Sequence, residues 1–541
     1  MCGVSGRHTG AMEIRCDIRT AFTATKKYAN RRLLVFCTVV SACFPVRAQK
    51  IFDPQKLHEI RIYTSAADRD TWFSLLQEYY DAALAGQPHR FIPVTAVMDG
   101  DSVPDVGLRF KGRYSNYGFP GKKKPFRLDF NEFRQSGSFQ GLKKVNLHNQ
   151  AGDPSFLREY MSYALFAHLG VAAPRASFCR LYVNDAYWGC YGVVEEPDKT
   201  FLKNRFGNKS GNLFECIKDT DLEWRGNDGT LYPEMELKTD PRPDAWNRLL
   251  AFVELFNHSS GYDYHQRLSA LFDIESYLDI LAVDVLINNW DSYYDNGRNF
   301  FIYDDPVYGK LRWIPWDYNL SFWATDPYVI PRDGSATGYK PLIFSLRNHP
   351  YLRRHYLENY CRVIEYRLNS FPFEERAEQA YGLIREAVEA DTMKFYSNGV
   401  FHRNRTESVT VNMLRNHVPT DVTLPGVVAL YRKRRNDLRK MLFVEGADCS
   451  EVPETDNVLH SMVFPNPTDR FFTVYLEETD IPSVRLDIRV FDAGGRTVLH
   501  ETKTADAGGT TCDAGTCAPG MYVVEVRAGA LKNRHKLIIR N

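Results

Sequence analysis

Alternating apolar and polar positions predict strands in the first part of the chain. The pattern predicts strands over residues 106–110 and 125–130, on either side of a loop rich in glycine and lysine. Two further apolar runs, 177–183 and 188–195, are joined by the Asn-Asp segment 184–187, which is typical of a β-hairpin turn.

Helical periodicity predicts helices between these strands and after them. Asp153 and Pro154 predict a helix start, with Asp as the cap and Pro in the first turn, and Gly170 predicts the end of that helix. Asp273 is expected to cap a second helix over residues 274–290, which is apolar nearly all round and therefore central and buried. Residues 350–445 are expected to be mainly helical. The main domain, residues 49–447, thus mixes strands and helices.

The composition changes at residues 448–457, a polar stretch with a proline that predicts a linker. After it, short alternating runs are separated by the turn signals Gly494-Gly495 and Pro519-Gly520. Residues 458–541 are therefore expected to form a small β-sandwich.

The N-terminal segment has the features of a secretory signal peptide. An apolar run of fourteen residues, 33–46, follows four basic residues and precedes Val46-Arg47-Ala48, an A-x-A-like cleavage site. The run is too short for a bilayer crossing, which takes about 20 residues. Residues 1–48 are therefore expected to be a signal peptide. Residues 40–43 also match a bacterial lipobox, so lipidation at Cys43 is the alternative.

Composition and charge narrow the class of function. The chain is 44% hydrophobic and 25% charged, as ordinary globular proteins are. Removal of residues 1–48 leaves 60 basic and 65 acidic residues, a net charge of −5 that gives no attraction to nucleic acid. The eleven cysteines show no zinc-binding spacing. Cys512 and Cys517 are close enough in sequence to close a small disulfide loop.

The densest cluster of polar side chains lies between residues 288 and 322. Asp291 follows the predicted buried helix, and Asn296 and Asn299 come five and eight residues later. A predicted β-hairpin then brings Asp317 back to the end where Asp291 lies. Two carboxylates and an amide suit phosphoryl transfer with Mg²⁺, and equally a Ca²⁺ site or a glycosidase site.

A second cluster, over residues 109–127, is basic and rich in glycine. Its charged residues are Lys111, Lys122, Lys123, Lys124 and Arg127. Backbone donors and lysines beside a strand can cover phosphate groups. A run of lysines at a strand start is also typical of a solvated sheet edge.

These clusters together resemble the CotH kinase-like family. The similarity runs in order through RFKGRYS, KKPFRLDF, DPSFLREYMSYALFAHLGVAAPR, RLYVNDAYWGCYGVVEE, NNWDSYYDNGRNFFIY and WIPWDYNLSF, over roughly residues 100–325. The resemblance implies an α+β fold with an atypical protein-kinase-like, two-lobed domain. It also implies a secreted enzyme that uses ATP with Mg²⁺ or Mn²⁺ to phosphorylate hydroxyl groups of a protein substrate.

The resemblance implies roles for individual residues. Asp291 would accept the proton of the substrate hydroxyl, and Asp317 would bind the metal. Asn299 is favoured as the amide ligand of the metal, with Asn296, which keeps the five-residue step of the protein-kinase catalytic loop, as the rival. Glu159 would pair with the phosphate-binding lysine. The implied nucleotide-binding residues are Lys124, with Lys123 as the rival, Arg127, Glu195 and Glu196.

The sequence also departs from kinase patterns. It has no G-x-G-x-x-G, HRD or DFG motif, and Asn319 stands where many members of the family have a second Asp. Two alternatives therefore stay open. One is a catalytically inactive surface or coat protein that binds a partner, and the other is a Ca²⁺-binding protein associated with polysaccharide.

The tail carries a second resemblance. The segments FPNPTDRFFTVYL, FDAGGRTV, APGMYVVEV and HKLIIRN are similar to the C-terminal sorting domain of type IX secretion substrates of Bacteroidetes. This implies an Ig-like β-sandwich, the type IX secretion machinery as a partner, and a secreted or outer-surface location. Neither a nucleic-acid partner nor a transmembrane segment is expected.

Overall fold

The computed structural model of the chain combines helices with several β-sheets. It describes residues 49–540 except 217–218, 260, 262, 324–327, 331–338, 416–417, 454–460, 477–483, 506–508 and 529–530. The predicted signal peptide, including Cys43, and residues 454–457 of the predicted linker lie outside the described residues. Among the described residues, no helix is both long enough and apolar enough to cross a membrane.

A closed barrel forms the first part of the main domain. Its strands are β1 (Leu57–Thr64), β2 (Ile92–Met98), β3 (Asp101–Phe110), β4 (Phe126–Asp129), β5 (Lys144–His148), β6 (Ala176–Val183) and β7 (Ala186–Glu195). The strand order is β1-β2-β3-β4-β5-β7-β6, and the parallel pairing of β6 with β1 closes it. Along β3 to β5, alternate residues pack into the barrel core, so the residues between them face outward.

A second sheet has the order β11-β10-β8-β9. Its strands are β8 (Asn212–Cys216), β9 (Met235–Leu237), β10 (Phe300–Asp305) and β11 (Lys310–Pro315). The β10–β11 hairpin places Phe300 opposite Pro315. The Trp316 N–H also donates to the Asn299 carbonyl at 3.1 Å, which brings the segments that carry Asn299 and Asp317 together.

Helices lie between the strands and after them. They are α1 (Trp72–Leu84), α2 (Tyr114–Tyr117), α3 (Arg158–Leu169), α4 (Lys199–Phe206), α5 (Asn247–His258), α6 (Tyr264–Leu271), α7 (Ile274–Leu286), α8 (Tyr293–Asn296), α9 (Pro341–Asn348), α10 (Pro350–Arg362), α11 (Phe373–Glu389), α12 (Asn398–Asn404) and α13 (Val427–Val444). α3, α7, α10 and α13 contribute to one large hydrophobic core.

The predicted strands and the buried helix are confirmed, but β3 and β7 begin earlier than predicted, at Asp101 and Ala186, and two helix boundaries also differ. α3 begins at Arg158 and not at Asp153, because Phe156 has a φ of +63° that a helix cannot contain. The Asp153 carboxylate instead holds a turn by accepting the N–H groups of Ser155 and Arg158. α7 ends at Leu286 and not at 290, since Asn288 adopts a left-handed φ of +46°.

The prediction that residues 350–445 are mainly helical missed one hairpin. The strands are β12 (Val409–Arg415) and β13 (Val418–Leu424). Alternate residues of β12 (Val409, Val411 and Met413) are buried in a small core of their own. A disulfide also joins Cys361, at the end of α10, to Cys449, beyond α13.

The predicted C-terminal sandwich is confirmed. One sheet has the order β14-β15-β18 and the other β17-β16-β19-β20, and both contribute to a shared apolar core. The strands are β14 (Ser461–Phe464), β15 (Phe471–Leu476), β16 (Val484–Phe491), β17 (Thr497–Ala505), β18 (Thr510–Asp513), β19 (Gly520–Ala528) and β20 (Leu531–Ile539). Cys512 and Cys517, considered as a disulfide pair from sequence, are both free in the structure.

A buried arginine at the start of α3 connects distant parts of the main domain. The fully buried Arg158 guanidinium pairs with Asp153 at 3.3 Å. It also donates to the carbonyls of Ser321 and Phe322, just beyond Asp317. Its other amino group donates to the Asn404 side chain and to the Pro425 carbonyl. One side chain thus holds the α3 start, the segment after β11 and the end of the β12–β13 hairpin together.

We expect Arg158→Met to lower the free energy of unfolding by about 3–5 kcal/mol, because the change leaves Asp153 as a buried unpaired charge. Denaturant unfolding of the full chain measures this. The matched control is Arg354→Met, which removes the exposed pair with Glu358 and should cost at most about 1 kcal/mol. Equal losses for the two variants would contradict the role of Arg158.

Candidate functional site

A cleft of about 920 Å³ lies between the barrel and the second sheet. The barrel side contributes outward-facing residues of β3 and β4 and the residue after β3: Arg109, Lys111, Arg127 and Asp129. The opposite side contributes residues that flank the β10–β11 hairpin: Asp291, Arg298, Asn299, Trp316, Asp317 and Asn319. The cleft therefore holds both carboxylates that the sequence singled out, together with a group of cations.

Asp291 lies in the loop between α7 and β10, and two amides hold its carboxylate. Asn296 donates to Oδ1 at 2.7 Å and Asn299 donates to Oδ2 at 3.0 Å, so each oxygen is fixed in direction. Arg298 Nε lies 3.6 Å from Oδ1. Burial raises the pKa of Asp291 to about 6, against the lowering effect of Arg298. The result is an oriented carboxylate with increased affinity for a proton.

Asp317 follows β11 and has an unusual backbone conformation. Its φ is +56°, in the left-handed region that Asp tolerates better than most residues. Its N–H donates to the Tyr163 hydroxyl at 3.1 Å. Glu159 and Tyr163 lie one turn apart on α3, so one face of α3 lies next to Asp317. Burial raises the pKa of Asp317, while His148 lowers it.

The structure places Lys124 and Lys123 outside the cleft lining. Lys124 donates to the carbonyls of Asn116 and Phe119. Lys123 is fully buried in an ion pair with Asp391.

Lys111 lines the cleft together with Lys144 and Lys238, and of these three it contacts His148. Its Nζ lies 2.7 Å from His148 Nε2, and His148 Nδ1 lies 2.7 Å from Glu159 Oε2. Glu159 is therefore linked to a cleft lysine through an imidazole, and not to Lys124 as expected. Burial and the nearby Arg127 lower the pKa of Lys111 to about 8.

The remaining nucleotide-binding candidates divide into two groups. Arg127 lines the cleft and pairs with Glu196 at 2.6 Å, and Asn146 donates to the same carboxylate oxygen. Burial would raise the pKa of Glu196, but Arg127 and Lys111 hold it at about 2. Glu195 is buried between Arg175 and Arg205 and does not line the cleft.

The polar groups around Asp317 fit a divalent cation. One ligand atom each from His148, Glu159 and Asp317 lie within 4.8 Å of one another. Glu159 Oε1 and Asp317 Oδ1 are buried and have no hydrogen-bond partner among the described residues. Of the two candidate amides, Asn299 lines the cleft, whereas Asn296 does not.

Two of these residues, His148 and Arg298, were not singled out from the sequence. Lys111 was noted only as part of the basic cluster. Strand alternation is the signal that could have found Lys111 and His148. Leu108 and Phe110 pack in the barrel core, so Lys111 faces the other way. Val145 and Leu147 are core residues in the same way, which turns His148 outward.

Comparison with known proteins identifies two regions of the chain. A family model described as CotH kinase protein matches residues 108–420, more than half of the chain, and one described as a secretion system C-terminal sorting domain matches residues 462–540. Such a tail implies the type IX secretion machinery and supports secretion or cell-surface localisation.

Several curated proteins are similar to the first of these regions. The inner spore coat protein H of Bacillus subtilis is 27% identical over 242 residues, which are 43% of this chain and 63% of that protein. The invasins CotH3 and CotH2 of Rhizopus delemar are 20% and 21% identical over 186 and 212 residues. Those matches cover 32% and 36% of this chain, and 31% and 34% of the two invasins.

The chain thus spans less than two thirds of the length of each of these relatives. The similarity to them is distant, whereas the family match extends from β3 to the β12–β13 hairpin and includes the whole hairpin that carries Asn299 and Asp317. The chain belongs to the CotH kinase protein family and carries a secretion sorting domain at its C-terminal end.

Proposed function

We propose that the chain is a secreted or cell-surface protein kinase with a two-lobed kinase-like architecture. It transfers the γ-phosphoryl group of ATP to a hydroxyl group of a protein, with Mg²⁺ or Mn²⁺. The observation that carries the proposal is the cleft, in which Asp291 and Asp317 face Lys111, Arg127 and Arg298. Phosphoryl transfer needs these parts: an oriented carboxylate, a metal ligand and cations for the phosphates.

Asp291 is the general base of this reaction. The substrate hydroxyl oxygen forms a bond to the γ-phosphorus, the bond from that phosphorus to the bridging oxygen of ADP breaks, and the hydroxyl proton passes to Asp291. Asn296 and Asn299 keep both carboxylate oxygens in place, which lowers the reorganisation that proton transfer requires. A carboxylate fixed in this way supports the role of base better than that of a flexible surface acid.

Lys111 takes the role that the family resemblance implied for Lys124. Its ammonium lies 5.1 Å from the centre of the ring of Trp316, the residue that precedes Asp317. Arg127 and Arg298 add two more positive charges to the lining of the cleft. A polyphosphate bound beside Asp317 would meet cations on both walls, while further carboxylates, Glu132, Glu215, Asp219 and Glu236, line the rest of the cleft.

Asp317 and Asn299 are the residues that would hold the metal ion against the phosphates. The ion would supply neutralisation of the charge on the β- and γ-phosphate oxygens. Asn296, by contrast, acts through Asp291, since its amide donates to that carboxylate and does not line the cleft.

A catalytically inactive member that binds nucleotide is the second candidate. Asn319 favours it, because this residue lines the cleft with a carboxamide at the position where many family members carry an Asp. A neutral amide binds a divalent cation less strongly than a carboxylate does.

We expect Asp291→Asn to lower the rate of phosphoryl transfer by about 10²–10⁴-fold, because the amide cannot accept the hydroxyl proton. Transfer of label from [γ-³²P]ATP to casein by the full chain measures the rate. The matched control is Asp185→Asn in the exposed turn between β6 and β7, which should leave the rate unchanged. A wild-type rate in Asp291→Asn would exclude the assigned base.

Lys111→Met and Lys124→Met separate the two assignments of the phosphate-binding lysine. Lys111→Met should raise the KM for ATP about 10–100-fold, since a hydrogen bond to a charged group contributes about 1.5–3 kcal/mol. Lys124→Met should leave the KM within about twofold but destabilise the fold by about 1–3 kcal/mol, because two buried carbonyls lose their donor. The reverse pattern in ATP kinetics and thermal unfolding would restore Lys124 to the site.

Asn319→Asp tests the inactive candidate. If the metal is weakly held because of the amide, the added carboxylate should increase the affinity for Mn²⁺ in the presence of ATP by about tenfold. A wild-type chain with no transfer activity and an active Asn319→Asp variant would support the inactive reading. Activity in the wild type would reject it.

A further inference from the structure

His148 adds a nitrogen ligand to the acidic pair beside the cleft. It ends β5, and its ring stands between the Lys111 ammonium and the Glu159 carboxylate, 2.7 Å from each. One of its ring nitrogens lies within 4.8 Å of ligand oxygens of both Glu159 and Asp317. Ligands bound to one ion by bonds of about 2.1 Å lie closer together than this, so small side-chain rotations would complete the site.

Two buried oxygens point to a ligand at this place. Glu159 is 3% exposed, and its Oε1 has no hydrogen-bond partner among the described residues. Asp317 is half-buried, and its Oδ1 atom is buried without a hydrogen-bond partner among the described residues. Since buried polar atoms are nearly always paired, two such carboxylate oxygens in one small group mark a place that suits a cation.

The charge balance of the group leads to the same conclusion. Two carboxylates close together in a buried place cannot both stay ionised without compensating positive charge. Lys111 supplies one such charge and contacts the group through His148. If Lys111 binds phosphate, as in the proposed function, the carboxylates need a second cation.

We propose that His148, Glu159 and Asp317 form a divalent-cation site that prefers first-row transition ions to Mg²⁺ and Ca²⁺. Mg²⁺ and Ca²⁺ are hard ions that take oxygen ligands, whereas imidazole suits transition ions. The affinity is expected to rise from Mn²⁺ through Co²⁺. Asp317 is also part of the proposed nucleotide site, so the catalytic role of the bound ion rests on the proposed function. The binding of the ion itself needs no nucleotide.

The test is direct metal binding to the full chain without nucleotide. Titration calorimetry should show one binding site whose affinity decreases from Co²⁺ through Mn²⁺ to Mg²⁺. Co²⁺ should bind at least about tenfold more tightly than Mg²⁺. His148→Asn should remove this preference by weakening Co²⁺ at least about tenfold, with little change in Mg²⁺ affinity. Asp317→Asn should weaken all three ions. His168→Asn, which changes an exposed imidazole on α3, is the control and should change none of them.

Two results would overturn the inference. One is equal affinity of the wild type for Co²⁺ and Mg²⁺, or binding of neither ion. The other is an unchanged Co²⁺ preference in His148→Asn. Competition of Mg²⁺ against Co²⁺ on the wild type, followed by the visible absorption of Co²⁺, gives the preference even if the variant fails to fold. If the wild-type chain shows the Co²⁺ preference but transfers no phosphoryl group from ATP, the proposed function is rejected and the cation site stands.

Discussion

The buried ion pair between Asp153 and Arg158 is the constraint on which the arrangement of the main domain depends. Neither charge reaches solvent, so each needs the other and a full set of hydrogen bonds. The two amino groups of Arg158 donate to carbonyls from distant segments of the domain, including those of Ser321 and Phe322. The position of the segment after Asp317 therefore depends on the turn before α3, which is distant from that segment in sequence but is joined to it by Arg158.

The cleft depends on a second constraint, the two-residue period of the barrel strands. Because Leu108, Val145 and Leu147 fill the barrel, the residues between them must face outward. Across β3, β4 and β5 this puts Arg109 beside Arg127 and Arg127 beside Asn146 in the pairing register. One surface of a closed barrel thus becomes a polar wall without any break in its core.

The connection between the cleft lysine and the helix glutamate is indirect in this chain. A direct ion pair would fix Lys111 against Glu159 by charge alone. The imidazole of His148 instead separates the two and offers a nitrogen to each. In the proposed site, Lys111 would face a phosphate and Glu159 would bind a cation, so the two tasks are divided between neighbouring groups.

Much of this architecture is determined locally and could be predicted from the sequence. The hairpin turn at Asn184 and Asp185, the β10–β11 hairpin that returns Asp317 toward Asp291, and the buried α7 follow from short-range patterns of turn residues and hydrophobicity. The C-terminal sandwich follows from alternation and glycine turns in the same way. Each of these features is set by residues within a few positions of one another, where steric and periodic rules act directly.

Only the tertiary structure decided which charged residues share the cleft. Strand alternation indicates the direction of Lys111, but only the packing shows that Lys124 binds the carbonyls of Asn116 and Phe119 and does not line the cleft. Lys123 finds its partner at Asp391, 268 residues away. Such choices depend on which distant groups are buried together, because a buried charge takes whichever partner the packing brings to it, and no local pattern records that partner.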